Sequence, residues 1–461
     1  MRLTLDPKPF LNAAPAVDAE GRHQPVGYWQ ETVSVAPGAP LAERLACDVA
    51  IVGAGFTGLS TAYHLKTYKP DLDVVVLEAG VAGHGASGRN GGFVMPLIGW
   101  DLLYTVQKLG EAAAGEAYRL MYRAVAHVKR VVAEHGIDCD LESTGYLLLN
   151  TCEARERRAR RELEVAHRLG FDHEWLEGAA LAEHIRSDHF RSGVFDPHPC
   201  VVNPAKLVRG MKALAESLGV RVYERTPLLE LEAGNPAYLR TESGELRARQ
   251  VLLALNGYGG AVGFMPSRVL PVHTYIVLTE PLSGEQLDVV GWGKRRTSLE
   301  SARNFIHYFR LTADNRILFG GEDATVYYGG RYFDRDDRVF QALKDRFHEY
   351  FPALRGVRFT HQWGGVLGVS LDMFPTFGQQ DNIFHAGAYC GHGVALSNYA
   401  GAILAPRMLR AAGVTDVEEA EPENPFFYGR RPAWLGADPV RYLGVQAYRY
   451  LLHAQDRLQG A

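Results

Sequence analysis

Three glycines and one carboxylate carry the first chemistry in this chain. Gly53, Gly55 and Gly58 stand at G-x-G-x-x-G spacing in "IVGAGFTGLSTAYHL", and Glu78 follows in "DVVVLEAG". Asp48 to Val52 is apolar and rich in branched residues, which predicts a buried strand, and the stretch from Leu59 to Leu65 opens a helix, so the glycines fall in the turn between them. Such a turn suits a pyrophosphate: the first glycine allows the tight bend, the second lets the backbone approach the anion, and the third lets helix and strand pack closely. The helix N-terminus adds unpaired N–H groups and the positive end of its dipole. Glu78 ends a second buried strand, where a carboxylate accepts hydrogen bonds from an adenosine ribose and repels a 2′-phosphate. NADP is therefore disfavoured, and NAD and FAD both stay open on these residues.

A loop just beyond Glu78 separates those two. "GHGASGRNGGF", 83 to 93, is too rich in glycine for a stable helix, and it supplies many backbone N–H groups plus Ser87, Arg89 and Asn90. That is more than NAD needs at this place. A third glycine-rich turn, "CGHGV" at 390 to 394, lies between a strand and a helix. Together with "LEAG", "LALNGY", "YFRLTADNRILFGG", "WGG", "DMFPTFG", "GHGVALS" and the "NPFFYGRRP" tail, these motifs cover nearly the whole chain. The set resembles the FAD-dependent amine and amino-acid oxidoreductases, the family of the D-amino acid, glycine and sarcosine oxidases, and within it the γ-glutamylputrescine oxidase-like members most of all.

The resemblance implies that FAD is held without a covalent link. Its contacts are expected from Gly53, Gly55, Phe56, Thr57 and Gly58, from Glu78 and Ala79, and from Gly85, Ala86, Ser87, Arg89, Asn90, Gly91 and Gly92. Leu228 is expected beside the adenine, and Asn256, Gly257, Gly391, His392, Gly393 and Val394 nearer the flavin ring. Residues expected to line the substrate pocket are His273, Tyr275, His307, Tyr308, Arg310 and Trp363, with His307, Tyr308, Arg310, Trp363 and His392 as the candidates for catalysis.

Departures from the family pattern narrow the chemistry. The cysteine and histidine that link flavin in some relatives fall at Gly365 and Asn90, which is why FAD is expected to dissociate. Cations that relatives aim at an α-carboxylate fall at Phe93, Leu367 and Ala395, all apolar. A buried carboxylate without a partner costs several kcal/mol, roughly 2 to 7 by analogy with other polar groups. Leu318 stands where sarcosine oxidase has a lysine that helps it react with oxygen, leaving oxidase and dehydrogenase both open.

The elements that position these residues imply an α/β fold: a Rossmann-type FAD-binding domain and a discontinuous second domain on a mixed, largely antiparallel sheet. A chain of 461 residues has room for both. The expected division is an arm over 1–42, an FAD domain from 43–98, 196–262 and 362–412, a substrate domain from 99–195 and 263–361, and a tail with a helix over 413–461. "VLPVHTYIVLTEPL" and "NFIHYFRLTADNRILFGG" alternate as antiparallel strands do, the second turning at Ala313-Asp314-Asn315. Asn203 is placed to cap a helix opening at Pro204.

With 47% hydrophobic and 22% charged residues and a net charge of −4, nothing favours nucleic acid or an anionic membrane as a partner. No uncharged apolar run is long enough to span a bilayer. Five scattered cysteines form no CxxC pair, so neither a disulfide framework nor a metal site is expected, and a cytoplasmic location fits. The expected reaction is oxidation of a CH–NH bond: a neutral amine gives a hydride equivalent to flavin N5, the imine hydrolyses, and oxygen or another acceptor takes the electrons. An FAD-dependent dehydrogenase of a hydroxy acid or polyol phosphate is the alternative within enzymes, needing cations such as Arg310 or Lys294 to Arg296. A flavin-binding protein without turnover is the alternative of another class. Composition leaves the oligomeric state open.

Overall fold

The computed structural model describes residues 2–7, 11, 15–18, 20–260, 263–414 and 424–460. Residues 415–423 of the expected tail lie outside them, as does the expected domain boundary at 262.

Five parallel strands, Arg221–Tyr223, Val74–Leu77, Arg44–Val52, Glu245–Leu253 and Ile383–Gly387, lie side by side in that order. All four residues of Val74–Leu77 are buried, as parallel strands covered on both faces require. Glu245–Leu253 changes partner along its length: its first residues pair antiparallel with Ala237–Arg240, and Val251 to Leu253 pair in parallel with Ile383 to His385. Beyond Ala237–Arg240 the sheet continues through Glu230–Glu232 to Arg2–Thr4. The N-terminal segment is thus not simply a surface arm. Its first strand extends the sheet, and its Tyr28–Glu31 helix buries Trp29 and Gln30.

A second sheet has eight strands in the order Phe359–Val369, Leu270–Thr279, Ile317–Thr325, His307–Leu311, Ser298–Ser301, Tyr146–Asn150, Ser192–Asp196 and Glu174–Glu177. Every pairing is antiparallel except that of Ser298–Ser301 with Tyr146–Asn150. Side chains alternate between the two faces of this sheet. Leu147, Leu299, Phe309, Phe319 and Tyr275 pack on one face with Phe340 and Phe347 of the Asp337–Tyr350 helix. Tyr146, Glu300, Tyr308, Arg310, Ile276 and Trp363 belong to the other, which meets the nucleotide-binding half of the molecule. Phe359–Val369 lies wholly in this sheet, so the antiparallel half runs past the expected boundary at 362 as far as Val369. Two helices, Leu102–Leu109 and Glu111–Glu134, follow one another, parted at Gly110, whose φ is 83°.

The expected elements around the glycine turns form where their local signals lie. Phe56–Tyr68 is a helix, Asn203 caps Pro204–Ser217 by accepting the Lys206 N–H, and Gly393–Ala411 is the helix after the last glycine turn. In the first turn Gly53 has φ 108°, and a methyl group on Gly58 would lie 2.0 Å from the Gly53 carbonyl oxygen. Neither atom is on a flexible side chain. Gly58→Ala should therefore destabilise the protein by roughly 1 to 3 kcal/mol, the scale of forced overpacking, read as a lowered midpoint of thermal unfolding without added cofactor. An unchanged midpoint would show that the turn relaxes freely.

Candidate functional site

A cleft opens where the parallel strands end at Val52, Leu77 and Ala254. At one end Glu78 is half-buried beside Leu228 and Thr226. Its carboxylate accepts the Ala54 N–H at 2.8 Å and the Gly80 N–H at 2.9 Å. Burial pushes the carboxyl up to about 7 while those two donors favour the ionised form. Ribose hydroxyls are further donors of the kind that would favour it again.

Gly55 is the N-cap of the Phe56–Tyr68 helix and offers no side-chain cap. The Phe56 N–H donates instead to Ser87 Oγ at 3.0 Å, and the hydroxyls of Thr57 and Tyr389 share a 2.7 Å hydrogen bond. A methyl on Gly55 would meet Ser87 Oγ at 2.8 Å, so the residue is bare where backbone must face an anion. Asn90 organises the neighbouring loop: its amide donates to the carbonyls of Ala86 and Ser87 and its Oδ1 accepts the Gly92 N–H at 2.8 Å. Arg89 lines the cleft with its charge already engaged. Its Nη1 lies 2.7 Å from Asp334, and its Nε donates to the His84 carbonyl at 2.6 Å.

The far end of the cleft is lined by Asn256, Leu367, Gly391, Gly393 and Val394. Asn256 Oδ1 accepts the Ala388 N–H at 3.1 Å, tying two strand ends together. Ala388, Cys390 and Gly391 all have positive φ, and His392 caps the Gly393–Ala411 helix. His392 Nδ1 is buried with no partner, and burial pulls the imidazole down to about 4. A helix N-terminus here favours negative charge on a bound ligand. Glycine backbone along the cleft, a half-buried carboxylate at one end and a second helix N-terminus at the other form a donor and acceptor set that fits FAD.

Most of the expected cofactor residues line this cleft: Gly53, Gly55, Phe56, Thr57, Glu78, Ala79, Gly85, Ala86, Ser87, Arg89, Asn90, Leu228, Asn256, Gly391, Gly393 and Val394. Gly58, Gly91, Gly92, Gly257 and His392 do not, and the four glycines serve close packing. A methyl on Gly257 would stand 2.8 Å from Leu367 backbone, and one on Gly92 2.1 Å from the Val202 carbonyl. Tyr258, Tyr332, Asp334 and Tyr389 also line the cleft and were missed. Tyr258 stood within "LALNGY", whereas Asp334 lies in a loop with no motif to mark it.

The candidates for catalysis separate. His307 points away from the cleft into the core beneath the sheet, its Nδ1 2.8 Å from the Tyr350 hydroxyl and its Nε2 2.6 Å from Glu322. Arg310 is buried and spends its donors on backbone, Nη1 to the Val202 carbonyl at 2.8 Å and Nε to the Leu311 carbonyl at 3.1 Å, with Gly92 O at 3.3 Å. It is no substrate clamp: it fixes the glycine loop. Trp363 is buried and donates from Nε1 to the Arg89 carbonyl at 2.8 Å. Tyr308 is half-buried on the face toward the cleft, edge-on to Phe93 with ring centroids 5.7 Å apart. Tyr275 is buried in the same core as Phe309, and His273 Nε2 accepts the Phe333 N–H. Neither lines the cleft. Among the described residues no cluster of side chains could hold a metal ion.

Residues 48–407 match the family described as FAD dependent oxidoreductase. The chain belongs to this family. It is 32% identical over 408 residues to gamma-glutamylputrescine oxidoreductase of Escherichia coli strain K12, covering 86% of this chain and 91% of that protein. It is 26% identical over 345 residues to a glycine oxidase of Pseudomonas aeruginosa, covering 72% of this chain and 85% of that one. Among solved structures, glycine oxidase from Geobacillus kaustophilus superposes with a TM-score of 0.67 at 22% identity over 79% of this chain and 95% of its own. L-Amino acid deaminase from Proteus myxofaciens does so with 0.67 at 18% over 86% and 95%. The two superpositions show a shared fold. As an FAD-dependent oxidoreductase the chain takes FAD as its cofactor, and it oxidises C–N bonds.

Two outcomes follow for this site. Glu78→Ala should weaken FAD binding by roughly 1 to 3 kcal/mol, the scale of charge-assisted hydrogen bonds, measured by titrating cofactor-free protein; undiminished affinity would remove Glu78 from the site. Arg310→Leu should lower the thermal midpoint and flavin retention, because the Val202 carbonyl loses a buried partner, while leaving the relative rates with acid-bearing and uncharged amines alike. A selective loss of acid-bearing substrates would restore Arg310 as their clamp.

Proposed function

We propose that this oxidoreductase acts on an amine bearing no α-carboxylate beside the reacting nitrogen, converting its CH–NH bond to an imine. The observation that carries this reading is that the cations near the cleft's inner end, among the described residues, are already engaged. Phe93, Leu367 and Ala395 are apolar, Arg310 is bonded to backbone, and Arg89 is paired with Asp334. The relative named for γ-glutamylputrescine supports an amine over a small amino acid. A hydroxy acid or polyol phosphate is disfavoured by the same account, since Arg296 is also committed, to Glu142 and Asn315.

When bound, FAD supplies a two-electron acceptor for the C–N bond. The residues of this chain position and enclose. The 83–93 loop, fixed by Asn90, Arg310 and Trp363, fills one wall, and Phe93 with Tyr308 presents aromatic surface that holds an amine and excludes water. The Gly393–Ala411 helix N-terminus favours negative charge at the cleft's inner end. No side-chain base is required if the amine arrives deprotonated. Oxygen or another acceptor takes the electrons, FAD is held non-covalently, and the five unpaired cysteines support a cytoplasmic location.

Purified protein should be yellow, and acid or heat should release its FAD to the supernatant, since Gly365 and Asn90 offer no atom for a covalent link; flavin that stays with the precipitate refutes this. Under anaerobic conditions primary or secondary amines should bleach the flavin at least roughly tenfold faster than equal concentrations of sarcosine or glycine, the rate equivalent of about 1.4 kcal/mol. Fast, saturable bleaching by sarcosine or glycine with longer amines inert would overturn the substrate reading.

A further inference from the structure

The sheet face that meets the glycine loop carries a carboxylate that no role described so far uses. Glu300 lies on Ser298–Ser301, paired across the sheet with Tyr308 on one side and Leu148 on the other. Cross-strand partners share a face, with Cβ atoms about 5 Å apart. The Glu300 carboxylate is therefore within one side-chain length of the Tyr308 ring, which is edge-on to Phe93 and close against Gly91. Gly91 directly follows Asn90, a residue lining the cofactor cleft.

Space is open here. Leu148 and Tyr308 are only half-buried although each lies within a strand inside the sheet, and Phe93 opposite them is half-buried too. Glu300 itself is 7% exposed. Among the described residues its hydrogen-bonding neighbour is the Tyr146 hydroxyl, a neutral donor, and burial raises the carboxyl to about 8 with no cation among them to offset it. Two other buried carboxylates pair with arginine, Glu224 with Arg209 and Asp456 with Arg155, and a third, Asp196, has the Tyr122 hydroxyl and His173 beside it. A carboxylate buried without a cation lacks the partner that such groups normally have.

We propose that Glu300 binds a positively charged group of the substrate, and that the substrate is an amine carrying a second, non-reacting ammonium. This rests on the amine reading above and gives it a charge pattern. A carboxylate beside the reacting nitrogen would hold that nitrogen protonated and deny it the lone pair that forms the imine as the neighbouring carbon gives up its hydride, so the productive cation for Glu300 is the second one. Tyr308 and Phe93 then wall the carbon chain between the two nitrogens, and the Tyr308 ring face adds attraction for the ammonium. The same face that carries no cation for an acid carries a carboxyl group that an arriving ammonium would draw into its ionised form.

The test uses FAD-loaded enzyme and two series of probes, α,ω-diaminoalkanes and alkyl monoamines of equal chain length. Binding is read from the shift of the visible flavin spectrum at each amine concentration, and turnover from anaerobic bleaching. Half-saturation by the preferred diamine should come at roughly tenfold lower concentration than by its monoamine, the scale of one charge-assisted hydrogen bond, and one spacer length should be best. In Glu300→Gln the ratio should collapse to near one; Glu300→Asp, which keeps the charge on a shorter stem, should retain part of it. A native ratio near one, or one that survives Glu300→Gln, overturns the inference. If Glu300→Gln does not fold, the native series and Glu300→Asp decide alone, and a ratio near one in the native enzyme is again fatal. Bleaching by amines without a diamine preference would sink Glu300's role and leave the amine reading standing. A Glu300-dependent diamine preference in binding with no bleaching by any amine would do the reverse.

Discussion

Everything in the cofactor half depends on how closely the Phe56–Tyr68 helix approaches the turn that feeds it. The Gly58 position lies so near the Gly53 carbonyl that even a methyl group does not fit, and the approach puts the helix N-terminus at the ends of the parallel strands. That contact decides where an anion can sit. The other features of the cleft are arranged around it: Ser87 reaches across to the Phe56 N–H, Tyr389 to Thr57, and Glu78 takes the Ala54 N–H in the middle of the turn.

The second sheet is attached to this cleft by a few buried polar contacts. Arg310 reaches from the sheet to the carbonyls of Gly92 and Val202, Trp363 to that of Arg89, and Arg89 itself to Asp334. These bonds hold the glycine loop between two sheets and leave it little freedom. Burial pulls Arg310 down to about 10, which still leaves it charged near neutrality, and the carbonyl oxygens around it compensate in place of a carboxylate. Its neighbour Trp29, with the guanidinium 5.4 Å from the ring centroid, brings the N-terminal segment into the same joint.

A sheet surface read in this way has a sign. Toward the glycine loop it shows apolar and aromatic groups, one guanidinium engaged with backbone carbonyls and the Trp29 ring, and the Glu300 carboxyl with a hydroxyl for company. In low dielectric a carboxyl left without a cation favours a cationic neighbour over an acidic one.

The sequence by itself determined the cofactor site, because that site is made from local signals: glycine spacing, strand and helix patterns, and an acid at a strand end. Gly53, Gly55, Glu78, Ser87 and Asn256 all lie where their motifs imply, since each is fixed by the turn it belongs to. The antiparallel strands were legible too, by their alternation. What tertiary structure decided was which face of those strands looks toward the cleft. His307 and Tyr308 are adjacent in the chain and were equal candidates, yet one lies in the core against Tyr350 and the other beside Phe93. Alternation divides residues into two sets without saying which set faces the ligand, because both faces of this sheet are covered, one by a helix and one by the other half of the protein. Arg310 belongs to the favoured face and still fails as a substrate contact, because its reach ends on two backbone carbonyls brought there by distant segments. Glu300 drew no notice in the chain for the converse reason: its isolation from any cation is a property of the folded surroundings alone.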